Sequence, residues 1–589
     1  MRRSPGRLLC FVVFLLICSF VNSLKIAIIG GGITGTFTSK YLVDYDGHEC
    51  KLDSITLFDP NELGMETSKA ASNNKDLKDD EYWQGSRVAA IKLQDGRVVE
   101  VGASVFHEAN HLLKGMIEGD PNLEIGRPFT VGKEGDVPQI PTRAGLAIYD
   151  GDGSWTYTSN SSSPWNKLQT LVRYNLDLFK VERATQKATA AFESLPALLN
   201  STEPDTFFES PDEIWNRIKL YKPVHVSFER LLDFMRISKP DSWSQKILPM
   251  QGSLRAELLT AINLINYNQP NAQINGLVGL VSYAAAKGPL YSVVGGNHQI
   301  VRSAFSQAQS NRRKNCPKNE EEMDVSHQKQ KVTTVIGSIE GFELYAGNVT
   351  LGTFDSVILA APLQQCRIEF LVPSAFDGAV LHQMPLGGMV DPEKSSESCT
   401  DHHDGHPILP TKLPSWATNS FTQVVTTVVS QATVNHTYFN LLEENLPRAI
   451  CTTERGKAKE QNMTVISQIA GDGVYKVFSS NVLKDEYLDT VFGPHHKVEF
   501  VKVWGGTYGG ATPDYRGLGD TVGFLLYDGA TNMDGHTDKG ALYYPNAIET
   551  ALACMEASAV GAKAVAKLVA RRFKLLSPSS GSSHNGEEL

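Results

Sequence analysis

The segment LKIAIIGGGITGTFTSKYLVDY, residues 24–45, decides the fold. It opens on residues 24–29, which are apolar and mostly β-branched apart from one lysine and therefore predict a short buried strand. Residues 30–35 follow with glycine at their first, third and sixth positions, and a helix-like stretch comes next. A strand, then G-x-G-x-x-G, then a helix is typical of a dinucleotide-binding βαβ unit.

The three glycines have different physical tasks. Gly30 makes the tight turn, Gly32 lets a pyrophosphate approach the backbone, and Gly35 lets the helix pack close to the strand. The helix N-terminus presents unpaired N–H groups to the phosphates. A second apolar strand over residues 54–58 ends in Asp59, where an acid meets a ribose hydroxyl. We therefore predict that these glycines and Asp59 bind the cofactor.

The composition is that of an ordinary globular protein. The chain has 589 residues, 41% of them hydrophobic and 20% charged. This excludes a disordered, collagen-like or small disulfide-stapled chain. With 55 Lys and Arg against 65 Asp and Glu, the net charge is −10. We expect no nucleic-acid partner, because nonspecific affinity for nucleic acids comes mainly from neutralised phosphates.

The N-terminus has the pattern of a targeting segment. Arg2, Arg3 and Arg7 precede an apolar run over residues 8–21, and Val21-Asn22-Ser23 offers a cleavage site. The run is shorter than the ~20 residues that span a bilayer as a helix. We predict a cleaved signal peptide over residues 1–23, with an uncleaved membrane anchor as the alternative. The expected protein has no transmembrane span and enters the secretory pathway, with lysosome or vacuole as destination.

Glycosylation acceptors and cysteines agree with an oxidising compartment. Six cysteines remain after the signal, an even number that permits disulfides, but their spacing does not define the pairing. Five Asn-X-Ser/Thr sequons are predicted glycosylation sites. Their acceptor residues are Asn160, Asn200, Asn348, Asn435 and Asn462.

Further nucleotide-like signals lie far downstream, whereas an NAD dehydrogenase usually keeps its site in one contiguous domain. Residues 332–336 and 342–345 predict a small β-meander, and residues 355–362 predict its return to a buried strand. This order resembles the adenine-covering part of amine-oxidase-like flavoproteins, which favours FAD over NAD. The resemblance places Val332 among the cofactor-binding residues.

The C-terminal residues 543–573 predict a long helix. Asn546 and, three residues later, Glu549 predict a capping box. Both are also predicted to bind the cofactor, since a helix start beside a flavin ring would stabilise the negative charge of the reduced ring. One face carries small side chains that allow close packing, and a separate basic face is predicted to be solvated. The small residues are Ala553, Ala557, Gly561 and Ala564, and the basic ones are Lys563, Lys567 and Arg571.

Several stretches together resemble the prenylcysteine oxidase family of FAD-dependent thioether oxidases, in detail its plant members. They are IAIIGGGITG, VEVGASVFHEANHLL, PLYSVVGGNHQIVRSAF, VILAAPL, WGGTYGG from Trp504, and YYPNAIETALACMEAS. The resemblance implies that Arg87, in Gly85-Ser86-Arg87, replaces a Gly-Gly-Arg element that contacts the pyrophosphate. The chain lacks the Ser-Gly-Gly-Cys-Tyr sequence of covalent flavin attachment, so noncovalent FAD is expected.

The resemblance also implies a reaction. A farnesyl- or geranylgeranyl-cysteine loses a hydride to the flavin from the allylic carbon beside sulfur, water adds, and the adduct yields cysteine and a prenyl aldehyde. Dioxygen then takes the electrons and becomes hydrogen peroxide. The sequence identifies no catalytic residue. An amine or polyamine oxidase and a nonenzymatic prenyl-binding escort protein remain the alternatives.

The implied fold class is α/β, with an FAD-binding Rossmann-like domain of the amine-oxidase or glutathione-reductase type interleaved with a mixed α+β substrate domain. The FAD domain is predicted over residues 24–112, 288–365 and 500–575, the substrate domain over 113–287 and 366–499, and a disordered tail over 576–589. We expect no metal site, because the polar cluster of Cys399, His402, His403 and His406 has loop composition. A peripheral membrane contact is compatible with a prenyl substrate.

Overall fold

The computed structural model describes residues 24–64, 87–126, 145–158, 170–239, 252–317, 325–338, 341–363, 366–373, 381–384, 421–469, 473–506, 523–528 and 540–575. The predicted signal peptide, the C-terminal tail, Asn160 and the Cys399–His406 cluster lie outside these ranges.

The described strands are, in chain order, β1 (Leu24–Ile29), β2 (Leu52–Phe58), β3 (Ala90–Lys92), β4 (Val98–Glu100), β5 (Phe106–His107), β6 (Ile125–Gly126), β7 (Leu146–Gly151), β8 (Ser154–Thr158), β9 (Leu290–Val293), β10 (Val325–Gln328), β11 (Thr334–Ser338), β12 (Gly341–Ala346), β13 (Val349–Phe354), β14 (Ser356–Leu359), β15 (Glu369–Pro373), β16 (Leu381–Gln383), β17 (Phe421–Ser430), β18 (Ala449–Thr452), β19 (Met463–Gln468), β20 (Tyr475–Ser479), β21 (Lys497–Gly506), β22 (Leu525–Asp528) and β23 (Ala541–Tyr543).

The described α-helices are α1 (Ile33–Asp46), α2 (His111–Glu118), α3 (Asp177–Glu193), α4 (Leu195–Asn200), α5 (Pro211–Arg217), α6 (Tyr221–Val224), α7 (Phe228–Phe234), α8 (Thr260–Tyr267), α9 (Gly276–Lys287), α10 (His298–Asn315), α11 (Glu454–Lys459), α12 (Asp485–Phe492) and α13 (Met555–Arg572). A π-helical turn, Arg255–Leu259, leads into α8.

The N-terminal strand lies at the centre of a six-stranded sheet. The strand order is β10-β2-β1-β14-β23-β22, in which β22 alone is antiparallel to its neighbour. Ile28 of β1 lies opposite Leu57 and Ile358, and all three are fully buried. A parallel sheet covered on both faces requires such continuous apolar strands. The predicted Rossmann-like fold class is thereby confirmed.

Helices α1, α10 and α13 pack together, with α1 contacting both of the others. Several side chains of α1 are buried hydroxyls, and they donate to carbonyls one turn back, as Thr38 does to Thr34 O (2.7 Å). Gly561 of α13 allows the close approach that its helical spacing predicts, since a Cβ there would lie 2.4 Å from the Pro545 carbonyl oxygen. Ala553 precedes the helix rather than lying on it.

The predicted meander is confirmed, and it extends into a five-stranded sheet with the order β13-β12-β11-β15-β16. From its end, the chain returns through β14 to pair in parallel with β1. The third large sheet has seven strands in the order β21-β17-β20-β19-β18-β7-β8. The predicted domain boundary at residue 500 falls within β21, which belongs to this third sheet. The remaining described strands form a two-stranded sheet, β3-β4, and a three-stranded sheet, β5-β9-β6.

A disulfide joins Cys50, after α1, to Cys316, at the end of α10. Beside it, Arg312 donates to the fully buried carboxylate of Asp46 at 2.5 Å. Both links tie the first βαβ unit to a segment 266 residues away in sequence. The spacing of the cysteines did not define this pairing.

Two of the three basic residues of α13 contradict the prediction of a solvated face, whereas Arg571 is exposed as predicted. Lys563 and Lys567 are buried. Lys563 donates to Asn200 Oδ1, and Lys567 donates to Thr206 O at 2.9 Å and lies over the Phe207 ring. Their long stems cover apolar surface while their ammonium groups reach oxygen atoms of the segment after α3. Burial lowers the pKa of Lys567 to about 8.

Candidate functional site

The glycine loop between β1 and α1 has the close approaches expected of a nucleotide cradle. Gly30 has φ +111°, and a Cβ there would lie 2.8 Å from Ala360 O. At Gly35, a Cβ would lie 1.9 Å from Gly30 O, so only glycine permits this turn. Gly32 is the N-cap of α1. Helix α1 therefore begins at the carboxyl edge of the sheet, the position at which helix N-termini bind phosphates in dinucleotide-binding folds.

Asp59 lies directly against this loop. Its Oδ2 accepts from Gly31 N at 2.7 Å, and its Oδ1 accepts from Asn61 N at 2.9 Å. Its backbone N donates to Gln328 O (3.1 Å) at the end of β10. Val332, four residues beyond Gln328, is buried. The structure thus brings the glycine loop, Asp59 and the chain entering the meander to one edge of the sheet.

Arg87 and Glu549, 462 residues apart in sequence, form an ion pair. Arg87 Nη1 donates to Glu549 Oε2 at 2.9 Å, and Nη2 donates to Oε1. Asn546 Nδ2 donates to the same Oε1 at 3.0 Å. Asn546 Oδ1 is buried and has no hydrogen-bond partner in the described part of the chain. A buried orphan acceptor beside a guanidinium fits a site that a polar ligand completes.

The predicted capping box at Asn546 and Glu549 is wrong. Residues Pro545–Thr550 form a 3-10 turn, and α13 begins later, at Met555. Its N-cap is Cys554, whose Sγ accepts from Ala557 N at 3.4 Å. The Glu549 carboxylate instead binds the Arg87 guanidinium through both of its oxygens, and a bidentate pair adds geometric specificity to two charge-assisted bonds.

The family-like stretches around Gly102 and Asn297 pack on one another. A Cβ at Gly102 would lie 2.0 Å from Arg87 O, and Ala103 N donates to that oxygen at 2.9 Å. The fully buried Asn297 donates from Nδ2 to Ala103 O at 3.0 Å and accepts from Val293 N at 2.8 Å. These contacts fix the backbone at Arg87, so the stretches position the ion pair.

His107 is a packed histidine. Its Nδ1 accepts from Ala109 N at 3.1 Å, and burial lowers its pKa. Gly288 packs so tightly on the ring that a Cβ there would lie 1.9 Å from His107 Nε2. These contacts make His107 a hydrogen-bonded residue of the packing.

The sequence did not predict a buried group of charges that faces the loop of Arg87 and Gly102. Lys476 of β20 donates to Ser104 Oγ (2.7 Å) and to Glu100 O (3.1 Å). Burial raises the pKa of Glu100 to about 8 and lowers that of Lys476 to about 8. The alternation of β20 could have shown that Lys476 lies on the same strand face as Phe478, a face that is otherwise apolar.

The same face of the seven-stranded sheet carries a second lysine. Lys502 lies with Nζ 4.1 Å from the centroid of the Trp504 ring, and burial lowers its pKa to about 8. Trp504 Nε1 donates to Thr426 Oγ1 (2.9 Å), and that hydroxyl donates to Val101 O (3.1 Å). This sheet face therefore meets the loop that carries Arg87 and Gly102.

Two negative findings apply to the part of the chain that the structure describes. No group of three or more His, Cys, Asp or Glu side chains there could hold a metal ion. Nor does any helix of this part combine the length and the apolar character needed to cross a membrane.

The parallel sheet, the glycine cradle and Asp59 define a class, that of the dinucleotide-binding α/β proteins. Comparison with known proteins refines it. The family model described as prenylcysteine lyase matches residues 157–380 and 407–579. The chain belongs to this family, which makes its nucleotide a flavin.

Relatives of full length are similar at low identity. Farnesylcysteine lyase of Arabidopsis thaliana is 23% identical over 93% of this chain and 88% of the relative, and prenylcysteine oxidase 1 of Mus musculus is 23% identical over 93% and 89%. Among solved structures, a putrescine oxidase triple mutant aligns with TM-score 0.48 and 15% identity, covering 93% of this chain and 100% of that one. Cyclohexylamine oxidase of Brevibacterium oxydans aligns with TM-score 0.47 and 12% identity, covering 94% and 100%. These two structural likenesses carry no conclusion here.

Proposed function

We propose that this protein is an FAD-dependent thioether oxidase that cleaves prenylcysteine, with dioxygen and water, to cysteine, a prenyl aldehyde and hydrogen peroxide. The observation that carries the proposal is the family match on a chain whose nucleotide cradle is intact. Bound flavin supplies the redox chemistry by accepting a hydride from the carbon beside sulfur. The residues of the chain bind the flavin, orient the substrate and shield the reacting atoms from water.

The cradle residues have separate roles in this proposal. Gly30, Gly32 and Gly35 admit the pyrophosphate to the N-terminus of α1, and Asp59 accepts from a ribose hydroxyl. Val332 covers the adenine end. Arg87, held by Glu549, supplies positive charge near the phosphates, and Asn546 Oδ1 accepts from the cofactor.

We further propose that the substrate lies between the six-stranded and seven-stranded sheets, at the interface of the two interleaved domains. Supporting this, Lys476, Lys502 and Trp504 face the loop of Arg87 from the seven-stranded sheet. A prenyl chain of about fifteen carbons gains of order 10 kcal/mol on burial before binding costs. On this sheet face, the rings of Phe478 and Trp504 offer apolar surface beside the two lysines.

Noncovalent FAD is part of the proposal. Its test is Gly32→Val, which places a side chain where the pyrophosphate approaches the N-cap of α1. The φ of Gly32 is −78°, which valine tolerates, so the fold should survive. We expect the variant to purify without yellow colour and the parent to release FAD on denaturation. A folded variant with a full flavin spectrum would disprove the assignment.

We propose the secretory pathway, ending in a lysosome or vacuole, as the compartment. The disulfide requires oxidising conditions. Asn200, Asn348 and Asn435 are exposed and Asn462 is half-buried. Glycosidase treatment of protein from its own host should increase gel mobility. Unchanged mobility together with a retained Met1 would contradict this compartment.

The substrate class is tested by comparing a thioether, farnesylcysteine, with an amine, spermine. Flavin-loaded protein should produce peroxide from farnesylcysteine and none from spermine. Peroxide from spermine alone would show an amine oxidase. Flavin-free protein that binds farnesylcysteine without turnover would show a prenyl-binding escort.

A further inference from the structure

Large apolar side chains point into solvent where α3 begins and α7 ends. Within the described residues, five of the eight exposed large hydrophobic side chains lie between residues 172 and 234. Leu176 is 68% exposed, Phe179 51% and Phe234 48%. Such clustering differs from the scattered exposed apolar residues that any surface carries.

Contacts of neighbouring residues bring the start of α3 and the end of α7 together. Asp177 Oδ2 accepts from Ser238 N at 2.8 Å, and Lys180 Nζ donates to Arg236 O at 2.8 Å, so the start of α3 abuts the chain after α7. Lys222 of α6 lies 4.2 Å from the centroid of the Phe234 ring. We define the apolar strip as Leu176, Phe179 and Phe234 with this connecting backbone.

The apolar strip has a positive rim, although the whole chain carries a net charge of −10. Its exposed cations include Arg183, Lys222, Arg230 and Arg236, while the exposed Lys180 and Lys239 are paired with Asp177 and Asp233. The acids nearby already have cationic partners. Asp177 pairs with Lys180, and both Glu229 and Asp233 pair with the buried Arg255.

We propose that the apolar strip docks this protein on an anionic lipid membrane. Leucine and aromatic side chains enter the boundary between headgroups and acyl chains, and a rim of Lys and Arg binds anionic headgroups. The buried Arg255 neutralises the acids that would repel such a surface. If the proposed function also holds, docking places the protein where a prenylated substrate accumulates, but the docking itself does not depend on the substrate.

Vesicle sedimentation tests the proposal with the flavin-loaded, full-length mature protein. It should sediment with vesicles of phosphatidylcholine mixed with phosphatidylserine, and high salt should weaken this binding. The double substitution Leu176→Ser with Phe179→Ser should reduce the affinity by roughly tenfold or more. Lys222→Gln with Arg230→Gln should reduce it about tenfold. All four side chains are exposed, so the fold should persist.

Leu442→Ser is the matched control, since Leu442 is 62% exposed but far from the strip in sequence. It should bind vesicles like the parent. Three results would overturn the proposal: no sedimentation with anionic vesicles, equal binding to pure phosphatidylcholine, or equal loss in the control. Self-association that Leu176→Ser abolishes, without vesicle binding, would assign the strip to a second copy. Turnover of detergent-dispersed farnesylcysteine, measured in parallel, separates failure of docking from failure of the proposed function.

Discussion

Gly35 gives a prediction about the proposed cofactor site, because one added Cβ atom would clash with the glycine loop. Gly35→Ala should abolish flavin retention and cost roughly 2–4 kcal/mol of unfolding free energy, because the Cβ would lie 1.9 Å from a backbone oxygen. Gly115→Ala, in the interior of α2, is the control, since no atom lies within 4 Å of its Cβ position. That variant should keep flavin and gain stability. Equal flavin content in both variants would show that the glycine loop does not bind the flavin.

The ion pair of Arg87 and Glu549 gives a second prediction at this scale. Glu549→Gln removes the charge from a buried carboxylate while Arg87, about one-third exposed, stays charged. We expect flavin affinity to fall and the unfolding free energy to drop by about 1–3 kcal/mol. Flavin absorbance after dialysis measures the affinity, and denaturant unfolding measures the free energy. An unchanged flavin content would remove this pair from the site.

Residues whose role is local were predictable from sequence. Gly30, Gly35 and Asp59 owe their positions to one βαβ unit, so the fingerprint predicts them. The pairing of Arg87 with Glu549 was not predictable, because tertiary contact alone brings the two together. The local sequence around Glu549 predicts a helix cap instead, because it contains no information about Arg87.

At the scale of elements, Glu556 joins two helices. It lies in the first turn of α13, and its carboxylate accepts from Leu112 N (3.0 Å) and Leu113 N (2.9 Å) at the start of α2. Burial raises its pKa from an ordinary 4.5 to about 7. Protonation therefore favours the folded state.

The contribution of Glu556 to the unfolding free energy falls as the pH rises. The folded pKa lies above the unfolded value, so this stabilisation is full below about pH 4.5 and is lost as the pH rises through about 7. From about pH 5 to about pH 8, the parent should lose up to about 3 kcal/mol more than Glu556→Gln, which stays neutral. Denaturant unfolding at both pH values measures this, and parallel curves for the two proteins would disprove the assignment.

The disulfide is the second link between elements. Replacing both Cys50 and Cys316 with Ser removes a constraint that spans 266 residues of sequence. The unfolding free energy should fall by about 2–5 kcal/mol, because the unfolded chain gains freedom. Reductant should destabilise the parent and leave the double variant unchanged. Equal sensitivity of both proteins to reductant would exclude this bridge.

Sequence patterns predicted β1, β2, the meander and the presence of a C-terminal helix. They failed for two of the three basic residues of α13, since a pattern of charges cannot show that Lys563 and Lys567 meet oxygen atoms in another segment. Lys476 and Lys502 were missed for a related reason. A charge on a strand becomes buried only when a second sheet covers it.

At the scale of the whole molecule, the seven-stranded sheet and the turn after β23 of the six-stranded sheet both contact the loop that begins at Arg87. The sequence predicts that the domains interleave, because nucleotide-like signals return late in the chain. The register of the seven-stranded sheet, and so the identity of the side chains facing the loop, comes from the structure. β21, part of which was predicted in the FAD domain, supplies Lys502 and Trp504 to that sheet.

The product balance from farnesylcysteine tests the proposed function most directly. Under air, flavin-loaded protein should release free cysteine, farnesal and hydrogen peroxide in equal amounts, and deuterium on the allylic carbon beside sulfur should slow the reaction. Gly35→Ala should release none, whereas Gly115→Ala should match the parent. Formation of pyruvate and a prenyl thiol without peroxide, slowed by deuterium on the cysteine methylene, would show an elimination enzyme and contradict the oxidase.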